Sequence, residues 1–151
     1  VSEPPEDALS MIDRLTAEYH INLAIHDHPK PSHYWNCDTL VKALKGHSHR
    51  IGACADVGHW YRSGLEPLQC LKKLRGRIIE LHFKDISATT KEDVPWGSGA
   101  CDVPAMLAEI KHQKIHPLFA IEYESGSGAE LIANVSRSIE FFSQQATKLA
   151  K

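Results

Sequence analysis

Four short apolar runs, INLAI (21–25), RIGACAD (50–56), RIIELHF (77–83) and HPLFAIEYE (116–124), recur along the chain with helix-patterned stretches between them. Runs of strand length that are apolar almost throughout fit strands covered on both faces. Residues 6–19 carry Ala8, Leu9, Ile12 and Leu15 at helical spacing, behind Pro4 and Pro5, which suit a helix start. Asp38 caps a second helix that runs to Leu44 and stops near Gly46. A third spans Glu66–Leu74 with Pro67 in its first turn, and a fourth spans Val103–His112 with Pro104 at its start. The last, Leu131–Leu149, lines up Ile132, Val135, Ile139 and Phe142 along one face. Strands separated by helices pair in parallel, because each crossover returns the chain to the same end of the sheet. The expected fold class is therefore α/β: one helix, then four parallel strand–helix units in a single domain over residues 1–151. Loops are expected after Gly58, over the polar, Gly-rich residues 85–102, and at the Gly/Ser turn 125–130.

At 42% hydrophobic and 24% charged residues over 151 positions, the composition excludes a collagen-like, coiled-coil or disordered chain. The formal net charge of −2 argues against a nucleic-acid partner held by basic charge. No run approaches the roughly 18 apolar residues that a membrane span needs. No signal sequence opens the chain, so a cytoplasmic protein is expected. The first residue is Val1 rather than Met, from which a missing or processed N-terminus is expected. Cys37, Cys54, Cys70 and Cys101 form no C-x-x-C pair and read as reduced packing thiols.

Each apolar run ends in ionisable residues. The first ends in His26, Asp27 and His28, and the second in Asp56, with His59 three residues on. The third carries His82, then Lys84 and Asp85; the fourth carries Glu122, then Tyr123 and Glu124. In a parallel sheet all C-terminal strand ends share one side, where α/β folds bind ligands. His26, Asp56, His82 and Glu122 alternate with apolar Ile25, Ala55, Leu81 and Ile121. Two imidazoles and two carboxylates form a mixed nitrogen–oxygen set suited to a divalent cation, whether Mn, Mg, Zn, Co or Fe.

The pieces IHDHP (25–29), GACADVGHW (52–60), GRIIELHFKD (76–85), PWGSGACDVPAML (95–107) and LFAIEYE (118–124) together resemble the xylose isomerase-like TIM-barrel family of sugar phosphate isomerases and epimerases. The resemblance implies the C-terminal half of a (β/α)8 barrel, completed by an upstream half or by a second copy. It places the family's metal ligands on His26, Asp56, His82 and Glu122. It makes His59 a substrate contact or a group behind the ligands, lets His28 reach substrate or the ligands, and puts Lys84, a candidate substrate contact, and Asp85 at the mouth of the third strand. Trp60 and Trp96, with Tyr61, are candidates for an apolar wall against a sugar face, the alternative for each being ordinary packing. Many ketose epimerases of the family have Glu where this chain has His26, so a two-carboxylate proton exchange is not implied here.

The activity expected from the resemblance is metal-dependent isomerisation or epimerisation of a sugar or sugar-like polyol through an enediolate. Glu122 is the general base, and His26, His28 or His59 the acid on the far side. A dehydratase acting on a polyol would share the same proton abstraction. A non-catalytic sugar- or metal-binding half barrel is the second reading. A phosphodiesterase like the endonucleases of this barrel is the third. Residues 85–102, where those enzymes carry a further ligand pair, contain no histidine.

Overall fold

The computed structural model describes residues 2–150. A 3-10 turn at Glu6–Ala8 leads into α1 (Leu9–Glu18), followed by β1 (Leu23–His26), α2 (Cys37–Ala43) and β2 (Ile51–Asp56). Next come α3 (Val57–Arg62), α4 (Pro67–Lys73), β3 (Ile78–Phe83), the short strands β4 (Asp85–Ile86) and β5 (Asp93–Val94), α5 (Val103–Gln113), β6 (Leu118–Ile121) and α6 (Gly128–Ala150). The expected α/β class holds: β1, β2, β3 and β6 form one sheet in that order, and every pair is parallel.

The sheet buries its outer face. Ile25, Ala53, Ala55, Leu81 and Phe83 pack with Leu40, Leu44, Leu71, Leu74, Met106, Leu107 and Ile110 from the helices. Residues of opposite parity face the other way, toward what would be a barrel interior. Leu118 on that face is 66% exposed. At β1, Ser2 forms a parallel bridge with Ile25: its N–H donates to Ala24 and its carbonyl accepts from His26.

Three local expectations are corrected. The segment after Asp56 is a helix, not a loop. Asp56 caps it by accepting the His59 N–H at 2.8 Å. Gly58 is tolerated inside this helix because the space is needed: a Cβ there would stand 2.8 Å from Lys84 Cβ. Residues 85–102 are not a plain loop either, since β4 and β5 pair antiparallel. On α6, Ile132 and Ile139 are exposed, while Asn134 and Ser138 are its buried residues. The Ser138 hydroxyl accepts the Trp96 N–H and donates to the Asn134 carbonyl.

Asp85 organises the long connection rather than standing at the mouth. It is buried, and its two carboxylate oxygens accept the N–H groups of Ile86, Gly97, Gly99 and Cys101 at 2.8–3.0 Å. Gly99 must be glycine for this, since a Cβ would fall 2.2 Å from Asp85 Oδ1. Replacing Asp85 by Ala orphans buried amides, which costs about 3 kcal/mol. Urea denaturation should show that loss, and amide exchange should speed up across 97–101.

Candidate metal centre

Strand parity and register bring the four expected residues to one place. Asp56 and His82 are register partners on β2 and β3, and His26 pairs in register with Cys54, two residues before Asp56. Glu122 directly follows β6, its N–H donating to the Phe83 carbonyl. His26, Asp56, His82 and Glu122 each present a ligand atom, and these atoms all lie within 4.8 Å of one another. His26 Nε2 faces His82 Nδ1 at 3.0 Å, and His82 Nδ1 is 2.7 Å from Glu122 Oε2. Asp56 Oδ2 lies 3.9 Å from His26 Nε2.

This set fits a cation. Asp56 Oδ2 and Glu122 Oε2 are buried, with Lys84 Nζ 3.1 Å from the first and His82 Nδ1 2.7 Å from the second. Two ring nitrogens and two carboxylate oxygens brought this close form a mixed donor set that a divalent ion would fit. Burial drives the electrostatics in the same direction. Desolvation, with His28 and His82 nearby, pulls His26 down to about 4, so its ring is neutral and free to ligate at neutral pH. Desolvation pushes Asp56 up to about 7, although Lys84 opposes it. Burial works to raise Glu122, but Lys84 and His82 outweigh it and hold that carboxyl below its usual range.

Lys84 was expected to touch substrate; the structure buries it completely. Directly after β3 it keeps the parity of Glu80 and His82, so its side chain enters the interior. Its ammonium hydrogen-bonds Glu124 at 2.7 Å and lies 3.1 Å from Asp56 Oδ2 and 3.4 Å from Glu122 Oε1. Burial lowers its proton affinity, and the three carboxylates more than restore it, so the net direction is upward. Lys84 is a fixed internal counter-charge.

The two tryptophans are corrected as well. Trp60 has no exposed surface, and Trp96 is buried against Phe83, ring centroids 4.9 Å apart. Further chain could only cover them more, so neither offers a wall to a sugar. His59 is buried behind Asp56, its Nε2 3.3 Å from Asp56 Oδ2. His28 is the accessible imidazole, half exposed, with its ring 4.2 Å from that of His26 and 5.3 Å from that of His59.

Three further residues join the site. Glu3 reaches across to pair with His28 through one oxygen and accepts the Ser32 hydroxyl with the other. Asp27 is fully buried and accepts the Asp56 N–H at 2.8 Å, fixing the end of β2; burial and Asp56 push it well above the usual carboxylate range. Cys54 lies close enough to form a second set with His26 and His82. Of these, Cys54 was open to discovery by parity with Asp56. Glu3 gave no signal, because nothing in the opening residues reads as a strand.

Burial, with Lys84 and His26 nearby, pulls His59 down to about 3. Below pH 6.5 the unfolded chain therefore takes up a proton that the folded chain refuses, and stability falls as the pH drops toward 3. Asp56 acts oppositely between its ordinary value and about 7, so the comparison is made against a variant that keeps Asp56. In chelator, wild type should lose about 2 kcal/mol more than His59→Asn between pH 6.5 and 4.5, measured by urea denaturation.

The xylose isomerase-like TIM barrel family profile matches residues 6–145. No curated protein matches the chain. Among solved structures, the chain is similar to an L-ribulose 3-epimerase, with TM-score 0.80 and 12% identity over 99% of this chain and 58% of the other. It is similar to an uncharacterised protein from Parabacteroides distasonis, with TM-score 0.65 and 39% identity over 95% of this chain and 57% of the other. It is also similar to a xylose isomerase-like TIM barrel protein from Mycobacterium smegmatis in complex with magnesium, with TM-score 0.74 and 17% identity over 97% and 50%. The chain thus spans between 50 and 58% of the length of these structures. With its profile matched over nearly all its residues and four parallel strands in the expected order, the chain belongs to the xylose isomerase-like TIM barrel family.

Proposed function

We propose that this chain carries the metal-binding half of a sugar isomerase or epimerase site, with His26, Asp56, His82 and Glu122 as ligands. The observation that carries the reading is the convergence of these four ligand atoms, borne by separate parallel strand ends, within 4.8 Å of one another. Its support from outside the chain is the family itself and an epimerase of the same fold. Two imidazoles and two carboxylates accept Mn, Mg, Zn, Co or Fe, and a fold relative is in complex with magnesium. When bound, a divalent ion supplies Lewis acidity, polarising a substrate carbonyl and steadying the enediolate left when a carbon-bound proton departs.

The chain's own groups do the rest. Glu122, held deprotonated by Lys84 and His82, takes the carbon-bound proton through a carboxylate oxygen. Of the three candidate imidazoles for the acid, His28 is the one that can reach substrate, since it alone is half exposed. Glu3 holds its Nδ1. His26 and His59, expected as catalytic groups, serve here as a ligand and as the residue behind Asp56. Lys84 balances the carboxylates without leaving the interior. The proposal includes the rest of a barrel over the uncovered inner face, from upstream residues or a second copy.

The test is exchange of a carbon-bound proton of a keto-sugar with deuterated water, followed by proton NMR on the native protein. Exchange should require a divalent metal and stop with chelator. Glu122→Gln should slow it by about 10²–10⁴-fold. Equal exchange with and without metal would overturn the reading.

A further inference from the structure

A second cluster lies behind the sheet and is independent of the metal site. Cys37 opens α2 and Cys70 sits within α4, 33 residues apart in sequence. Their sulfurs are 2.7 Å apart, both thiols are free, and both are buried. That separation is about 0.7 Å beyond a disulfide bond length. The two helices are also held together next to the sulfurs. Asp38, adjacent to Cys37, pairs at 2.7 Å with Lys73, one turn beyond Cys70. Both members of that ion pair are about half exposed. Cys54 and Cys101 are buried thiols without such a neighbour.

We propose that Cys37 and Cys70 are a redox-active thiol pair, a site of disulfide formation by hydrogen peroxide. Either thiol can donate to the other across this contact, and the attack is assigned to Cys37. That hydrogen bond, with Lys73 nearby, lowers the Cys37 thiol against the opposing effect of burial, while Cys70 is raised. In the first step the Cys37 thiolate attacks one peroxide oxygen and the O–O bond breaks. A sulfenic acid forms, the sulfur is oxidised by two electrons, and hydroxide leaves to be protonated as water. In the second step Cys70 attacks the Cys37 sulfur. The S–S bond forms, the S–O bond breaks, and the Cys70 proton leaves in a second water. The bond ties α2 to α4, and with them the strand–helix units that begin at β1 and β2.

The experiment uses the native, fully reduced protein treated with limiting hydrogen peroxide, then denatured, alkylated and mapped by tryptic mass spectrometry. The expected result is loss of two of the four thiols, with the Cys37 and Cys70 peptides joined and two hydrogens lighter. In Cys70→Ser, Cys37 should stop at a sulfenic acid that dimedone traps. Four alkylated thiols in the wild type, or a linkage involving Cys54 or Cys101, would overturn the proposal. The wild-type map decides the matter even if the variant does not fold. Neither result bears on metal binding.

Discussion

The parallel register of four strands is the constraint on which everything else rests. It sets two imidazoles and two carboxylates, drawn from residues 26 to 122, within a few ångströms of one point. The arrangement is costly by itself, because desolvation disfavours each charge and the lone pairs face one another. The fold meets part of that cost internally. A fully buried Lys84 faces Asp56, Glu122 and Glu124, and Asp27 and His59 hold Asp56 from behind. The four ligand atoms still converge within 4.8 Å of one another, a donor set that fits a cation.

The same strands separate function from support by parity. Along β3 and just beyond, Glu80, His82 and Lys84 face inward, while Leu81, Phe83 and Asp85 belong to the outer layer. Asp85 therefore ties the 85–102 connection to the strand end through four amides. Tyr123, of outward parity beside Glu122, receives a hydrogen bond from Asn134 on α6 at 2.8 Å. One strand end thus feeds the site and its scaffold at once.

The candidate ligands were legible in the sequence because each is a polar residue at or near the end of an apolar run, and runs alternating with helices imply a parallel sheet. Position in the sequence does not by itself say whether Lys84, Trp60 and Trp96 reach the mouth or the interior. Parity turns Lys84 inward, and the helical turn at Val57–Arg62 rotates Trp60 into the core. Helix periodicity alone could not tell which face of α6 meets the sheet, since Ile132 and Ile139 match the pattern yet stay exposed. The contacts of Glu3 with His28 and of Cys37 with Cys70 are tertiary and leave no local pattern.

The most direct measurement is manganese binding to the native protein by isothermal titration calorimetry, beside His82→Ala. The account predicts one ion per chain in the wild type and an affinity at least about 100-fold weaker in the variant, because His82 is a ligand and not a neighbour. Equal affinity in the two proteins, or no binding to either, would contradict it.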